Sequence, residues 1–307
     1  MEKKISIVIP NYNGKNLIAR NLPQVIKTAP GVQIIIVDDA SGDDSCSFIR
    51  KNFPKVLLIV NRKNQGFSKT VNTGVGHASA DLVLLLNSDV SPRANFLKPL
   101  VEHFSKRSNL FAVAIADYSH ENGKIILRGR GGATFNKGFV QHFAAKIKPG
   151  KTLWVSGGSG LFDRKKFLEL GGFDPVFSPF YWEDIDLSYR AQKLGLICLF
   201  EPRSKVDHYH EEGAIKKNYS QNYVKKVSYR NQFLFVWKNI SDYSMVLQHL
   251  AWMPYHFAVA LAKLDLAFFN GFFWALAKLP TLVFNYELST MNHQLTDKEL
   301  LKKFAKP

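Results

Sequence analysis

Four short apolar runs punctuate the N-terminal part of the chain, each closed by polar residues. Ile5-Ser6-Ile7-Val8-Ile9 ends at Pro10, Gln33-Ile34-Ile35-Ile36-Val37 at Asp38-Asp39, Val56 to Val60 at Asn61, and Leu82-Val83-Leu84-Leu85-Leu86 at Asn87-Ser88-Asp89. Continuous aliphatic runs with helical patterns between them predict an α/β fold: a mostly parallel sheet covered by helices on both faces. In such open sheets the ligand crevice lies beyond the carboxyl ends of the strands. The polar residues that close the four runs are therefore expected to meet on one rim, far apart as they are in sequence.

Residues from about 120 to 155 are rich in Gly and Lys and predict a hairpin or loop excursion. The chain then returns to the core between Trp154 and Phe200, through Gly171-Gly172-Phe173-Asp174-Pro175 and Tyr181-Trp182-Glu183-Asp184-Ile185-Asp186-Leu187. The second of these predicts the start of a short amphipathic helix. Ile185 and Tyr189 share one face, Asp186 and Arg190 are spaced to pair across one turn, and Gly195 is placed to end it. Aromatic residues ahead of Glu183 can exclude water and tune a carboxylate for proton transfer, which is what a general base requires. A capped surface helix has the same local pattern.

After about Tyr219 the composition shifts. Lys216, Lys217, Lys225, Lys226, Arg230 and Lys238 occur with no acid between Ala214 and Ile240, and the apolar stretches Met245 to Ala262 and Leu266 to Ala277 follow. Neither reads as a membrane span. The first contains Gln248, His249, Pro254 and His256, and the second has only 12 residues, against the ~20 needed to cross a bilayer. Basic residues beside aromatic, apolar helices predict helices lying in the membrane interface; an ordinary helical subdomain with a basic face is the alternative.

A chain of 307 residues with 46% hydrophobic content can bury one large core or two smaller ones. The formal charge of +16 points to an anionic partner, either phosphorylated substrate, phospholipid or nucleic acid. Nucleic acid is the poorest of these, because the charge sits beside apolar helices and no recognition motif accompanies it. Cys46 and Cys198 lack metal-ligand spacing and fit a reducing compartment. Met1-Glu2-Lys3-Lys4 leads straight into a strand-like run too short for a signal segment, so a cytoplasmic location is expected.

Several clusters can carry chemistry. Asp38-Asp39 can accept hydrogen bonds from a base or ribose at the rim, or simply cap the following turn. Asp89, at the end of the most apolar run, is placed to bind Mg²⁺ or Mn²⁺ that also holds a diphosphate, or to form a turn before Pro92. In Asn61-Arg62-Lys63-Asn64-Gln65-Gly66-Phe67, Arg62 or Lys63 can meet phosphate and Gly66 permits close backbone approach. Ser156-Gly157-Gly158-Ser159-Gly160 offers backbone N–H groups without forming a dinucleotide fingerprint. His208 and His210 fall on one side of an extended segment, where one of them could complete a metal site with Asp89.

Taken in order, these elements resemble glycosyltransferase family 2. The match is carried by Ile7-Val8-Ile9-Pro10-Asn11-Tyr12-Asn13, Val37-Asp38-Asp39, Asn61-x-x-Asn64-x-Gly66-Phe67, Asn72-x-Gly74, Leu85-Leu86-Asn87-Ser88-Asp89 and Gly171-Gly172-Phe173-Asp174 … Glu183-Asp184-Ile185-Asp186-Leu187 … Arg190. The branch it most resembles makes bacterial surface polysaccharides and includes rhamnosyltransferase-like members. The resemblance implies a GT-A, Rossmann-like catalytic domain over residues 1–218, with a nucleotide-sugar half to about 118 and an acceptor and base half from about 119. Residues 219–307 would form a helical, membrane-associating region.

It further implies inverting transfer from a UDP- or dTDP-linked sugar to a glycan or polyprenyl-diphosphate-linked acceptor, on the inner face of the cell membrane. Pro10, Asn11, Asn13, Asp39 and Ser88 would bind the nucleotide sugar, with Asn64 and Gly66 nearby. Asp89 and His208 would hold Mg²⁺ or Mn²⁺, and Asp184 would be the base, with Glu183 second. Asn87 stands where many members carry the first Asp of Asp-x-Asp, which lowers the negative charge of the metal site. A non-catalytic nucleotide-sugar-binding relative, and a nucleotidyltransferase, are the competing readings.

Overall fold

The computed structural model describes residues 3–284 and 293–305. Met1, Glu2 and the parts of the C-terminal region at 285–292 and 306–307 lie outside the described residues. The first half alternates strand and helix: β1 (Ile5–Asn11), α1 (Lys15–Thr28), β2 (Gln33–Asp38), α2 (Ser45–Asn52), β3 (Leu57–Val60), α3 (Phe67–His77) and β4 (Leu82–Leu86). A short β5 (Val90–Pro92) and α4 (Leu97–Lys106) lead into β6 (Leu110–Glu121). The expected excursion is a set of hairpins. β7 (Lys124–Arg128) folds back on β6, β8 (Gly131–Asn136) pairs β9 (Phe139–Ala144) as a separate ribbon, and β10 (Gly150–Lys151) closes the edge.

β11 (Ser159–Asp163), α5 (Arg164–Glu169), α6 (Glu183–Lys193) and β12 (Ile197–His208) complete the sheet and its cover. The C-terminal part is helical: α7 (Ala214–Asn218), α8 (Gln221–Asn239), α9 (Tyr243–Ala262), α10 (Leu266–Leu276), α11 (Leu279–Phe284) and α12 (Asp297–Lys302).

The sheet runs β10-β12-β6-β11-β4-β1-β2-β3. β3, β2, β1 and β4 are mutually parallel, β12 is parallel to β6, and β11 is antiparallel to both β4 and β6. The chain steps from β1 outward to β3 and then returns to the other side of β1 at β4. That reversal opens a crevice at the carboxyl ends of β1 and β4, where such sheets bind ligands. One expectation needs correction. Val56 to Val60 is not covered on both faces: β3 is the edge strand, and Leu57 and Val60 are exposed.

Two apolar cores flank the sheet. One packs Ile18, Leu22 and Leu100 against Ile7, Ile36 and Leu84; the other packs Val71, Phe167 and Leu187 against Val8, Val83 and Phe162. A third joins the C-terminal helices to α6, with Phe233, Leu234 and Phe235 packed with Trp182, Ile185 and Tyr189. Among the described residues no helix is long and apolar enough to cross a membrane.

Candidate functional site

The strand ends converge as their sequence spacing predicts, and they open into a cavity of about 540 Å³. Pro10 and Asn11 come from the end of β1, Asp39 from the end of β2, and Asn87, Ser88 and Asp89 from the end of β4. Asn64 and Gly66 form one side, and Ser156, Gly157 and Gly158 another. Asn13 is not part of the lining. It is exposed at a left-handed turn, and its Oδ1 accepts from the Gly42 N–H at 2.8 Å, so it latches two loops together. Arg62 and Lys63 are also exposed and outside the lining.

Asp38 and Asp39 divide their work. Asp38 is buried and accepts from Asn11 Nδ2 at 2.8 Å, the Ser41 N–H at 2.8 Å and the Ser41 hydroxyl at 2.7 Å. Asp39 accepts from Asn61 Nδ2 at 2.7 Å and from the Gln65 and Gly66 N–H groups at 2.9 and 2.8 Å. Asp39 thus reaches the cavity wall while fixing the loop that carries Asn64 and Gly66.

At the end of β4, β12 brings His208 against Asp89. His208 is bracketed by two carboxylates: Nδ1 lies 2.7 Å from Asp117 Oδ2, and Nε2 lies 3.2 Å from Asp89 Oδ1 without hydrogen-bond alignment. Burial lowers the His208 pKa, but the Asp89 charge and the Asp117 hydrogen bond outweigh it and raise it to about 10. Burial pushes the Asp117 carboxyl up, and its hydrogen bond and charge contact with His208 bring it below the ordinary range. The His210 ring stacks on His208 with centroids 3.6 Å apart. Asp117, His208 and His210 present ligand atoms that all lie within 4.8 Å of one another. Asp117 is an addition to the residues expected from sequence, and His210, the alternative imidazole there, stands beside His208. Gly213 passes directly over this corner, where a Cβ would sit 2.6 Å from Asp89 Oδ2 and would push that carboxylate aside.

The residues fit a divalent cation. Asp89 and His208 Nε2 face each other across a short gap, and Asp117 behind Nδ1 is the orienting carboxylate that a ligating imidazole requires. His210 stacks on His208, and the Asn87 Oδ1, buried and unpartnered, belongs to a residue that lines the same cavity.

The opposite wall is the start of α6. Tyr181 and Trp182 both have left-handed backbone (φ 71° and 76°), a conformation that costs a non-glycine residue energy unless its surroundings hold it. The support comes from α8. Asn231, fully buried, donates from Nδ2 to the carbonyls of Phe177, Phe180 and Tyr181 at 2.8, 2.9 and 2.8 Å. Arg230 donates to the Phe177 carbonyl at 3.2 Å and to that of Ser178.

Asp186 meets Arg190 at 2.9 Å, as its spacing predicts, and also Lys238 at 2.9 Å. Burial raises its carboxyl, and the two cations overcome this and lower it. Glu183 and Asp184 have no such partners. Burial lifts the Asp184 pKa to about 6 despite N–H groups from Ile185 at 2.8 Å and Gly157 at 3.4 Å. Glu183 is driven well above the carboxylate range by burial and by the neighbouring Asp184 charge. Among the described residues, Asn11 Oδ1, Asn87 Oδ1, Glu183 Oε2 and His208 Nε2 are buried without a hydrogen-bond partner, and all four residues line this one cavity. Unpaired buried polar atoms are costly and mark a polar ligand site.

Comparison with known proteins bears on the family and the fold. The sequence model of the family described as Glycosyl transferase family 2 matches residues 6–171. A putative polypeptide N-acetylgalactosaminyltransferase 10 of Drosophila melanogaster is 24% identical over 63% of the chain, and the chain spans 34% of that protein's length. The crystal structure of GalNAc-T7 with UDP, GalNAc and Mn²⁺ has a TM-score of 0.63 at 20% identity, over 79% of this chain and 49% of that one. The mannosyltransferase PcManGT from Pyrobaculum calidifontis, in complex with GDP-Man and Mn²⁺, has a TM-score of 0.55 at 16% identity, over 95% and 82%.

Proposed function

The chain belongs to glycosyl transferase family 2, and from that premise we propose that it moves a sugar, with inversion, from a UDP- or dTDP-linked donor to a hydroxyl of a glycan or polyprenyl-diphosphate-linked acceptor. The setting of this reading is cell-surface polysaccharide synthesis at the cytoplasmic face of the membrane. The observation that carries it is the cavity itself: unpaired acceptors, a carboxylate–imidazole pair and a desolvated acid share one chamber.

The residue roles follow from the chemistry each environment permits. Pro10, Asn11, Asp39, Asn64, Gly66 and Ser88 form the donor side, with the Asn11 Oδ1 open to a ligand donor. Asp89 and His208 would hold Mg²⁺ or Mn²⁺, and the chemistry such a cation would supply there is positive charge for a diphosphate leaving group. Asp184 is the base. Its pKa of about 6 leaves it ionised at neutral pH yet basic enough to accept a proton from an attacking hydroxyl. Glu183, whose carboxyl is driven up by burial and the neighbouring Asp184 charge, has an unpaired oxygen with which to orient a sugar hydroxyl. Attack forms the new C–O bond as the bond to the phosphate oxygen breaks, and the acceptor proton passes to Asp184.

Product analysis tests the reading. Free nucleoside diphosphate, with inverted anomeric configuration by NMR, is the expected outcome. Pyrophosphate would replace it with a nucleotidyltransferase, and retention of configuration would remove Asp184 from its role as base.

A further inference from the structure

α9 and α10 are apolar outside as well as inside. α9 packs inward through Met245, His249 and Ala260, and α10 through Ala267, Phe268, Gly271 and Ala275. A helix on a protein surface ordinarily turns charged and polar residues outward. Here the outward positions of α9 include Leu247, Leu250, Ala251, Pro254, Ala258 and Leu261, a stripe at three- and four-residue spacing without a charge. Leu250 is 60% exposed and Leu261 66%; Leu264 and Leu266, between the helices, are 79% and 70% exposed, and Phe273 is 60% exposed. An exposed apolar patch of this extent marks a protein or membrane contact.

Charge and aromatic placement choose between them. The single acid between Tyr243 and Phe284 is Asp265, and it is engaged by Lys225 and the Tyr229 hydroxyl, each at 2.8 Å. The cations stand at the margins: Lys263 and Lys278 are exposed, and Lys137 reaches the Tyr255 hydroxyl at 3.0 Å and lies 5.6 Å above the Trp252 ring. Trp and Tyr beside lysines around an apolar face match the layered chemistry of a lipid headgroup region. The face is also continuous with the cavity. Phe180 and Tyr219 line it, and ring centroids step from Phe180 to Tyr219 (5.0 Å), Tyr223 (5.2 Å) and Trp274 of α10 (5.9 Å).

We propose that the outward faces of α9 and α10 seat this protein on an anionic phospholipid surface, with the cavity reached along the aromatic ladder. The seating stands on the exposed face alone. Only the delivery of a lipid-borne acceptor rests on the transferase reading.

Flotation of the full chain with vesicles of phosphatidylcholine, alone or mixed with phosphatidylglycerol, tests it. Truncation near Asn218 is no control, because α8 completes the core around Trp182 and Tyr189. Point variants on exposed positions are. Leu250→Glu and Leu261→Glu should each cut partitioning roughly tenfold on the mixed vesicles. Lys263→Gln and Lys278→Gln should each cut it about fivefold there, and leave it unchanged on neutral vesicles. Binding of UDP with Mn²⁺, measured on every variant in parallel, reports folding and the donor site. Lost flotation with wild-type UDP binding in the Leu variants supports the proposal. Wild-type flotation of the double Leu variant, or no flotation of the parent chain, overturns it. So does a concentration-dependent dimer in sedimentation that Leu250→Glu dissolves, since a second copy would then cover the face. Loss of UDP binding with intact flotation would instead sink the donor-site reading and leave the docking face standing.

Discussion

Replacing Asp184 by Asn should make the protein more stable and less active at the same time. The Asp184 pKa rises from 3.8 to about 6 because burial disfavours the charged form, which corresponds to about 3 kcal/mol in favour of the protonated state. The sign follows from linkage. A folded-state pKa above the unfolded value gives stability that is full below 3.8 and is lost as pH rises through about 6. The wild-type chain therefore carries an ionised, poorly solvated carboxylate at pH 8, and an Asn of nearly the same shape does not. The substituted amide's Oδ1 can still accept from the Ile185 N–H, while the long contact from Gly157 is lost, so the net gain should be about 1–3 kcal/mol.

Thermal or urea unfolding at pH 8 should show that gain, and it should fade as pH falls toward 4. In the same preparation turnover should drop about 10²–10⁴-fold, the usual worth of a general base. Wild-type kcat/KM should climb with pH through about 6 and then level. An Asp184→Asn variant that is less stable than wild type at pH 8 would refute the desolvation argument, and one that turns over normally would refute the base assignment.

Other variants probe other parts of the account. Asp117→Asn should weaken Mn²⁺ binding about 10–100-fold, because it removes the orienting acceptor behind His208 Nδ1; Mn²⁺ electron paramagnetic resonance on the protein without donor reads this directly. Asn231→Leu strips three loop carbonyls of their donor and should cost about 2–4 kcal/mol in urea unfolding. In the fraction that folds, kcat should fall while UDP affinity holds, and equal loss of both would show that α8 supports the whole domain rather than the base. Gly74→Ala would put a Cβ 2.3 Å from Val8 Cγ1 and 3.1 Å from Val37 Cγ2, an overpacking that should cost about 1–3 kcal/mol by thermal unfolding.

The strand framework was legible because buried parallel strands advertise themselves as unbroken aliphatic runs with polar ends: β4 stops where its run stops, while β2 continues through Asp38 and β1 through Pro10 and Asn11. β6 was the missed case. Leu110 to Ala116 is another such run, and Asp117 closes it as Asp38 closes β2. That signal would have led to the carboxylate behind His208. His210 lies two residues beyond, where the strand has given way to a turn that folds its ring onto His208; alternation along an extended segment does not foresee such stacking.

The role of α8 could not be read locally. Arg230 belongs to a basic run that looks solvated in one dimension, yet it is buried, and its guanidinium hydrogen-bonds the carbonyls of Phe177 and Ser178. Long-range polar contacts of this kind depend on the sheet order and leave no periodicity. Asn13 differs in the other direction: it stands next to the residues that line the cavity, but its Oδ1 accepts from the Gly42 N–H and it is not part of the lining.

Calorimetric titration with UDP, dTDP and GDP, each with and without Mn²⁺, tests the central claim most directly. The account predicts that one of these diphosphates binds, that Mn²⁺ strengthens the binding, and that Asp89→Ala removes the Mn²⁺ effect. No binding of any diphosphate in either condition, or binding indifferent both to Mn²⁺ and to the Asp89 substitution, would contradict it.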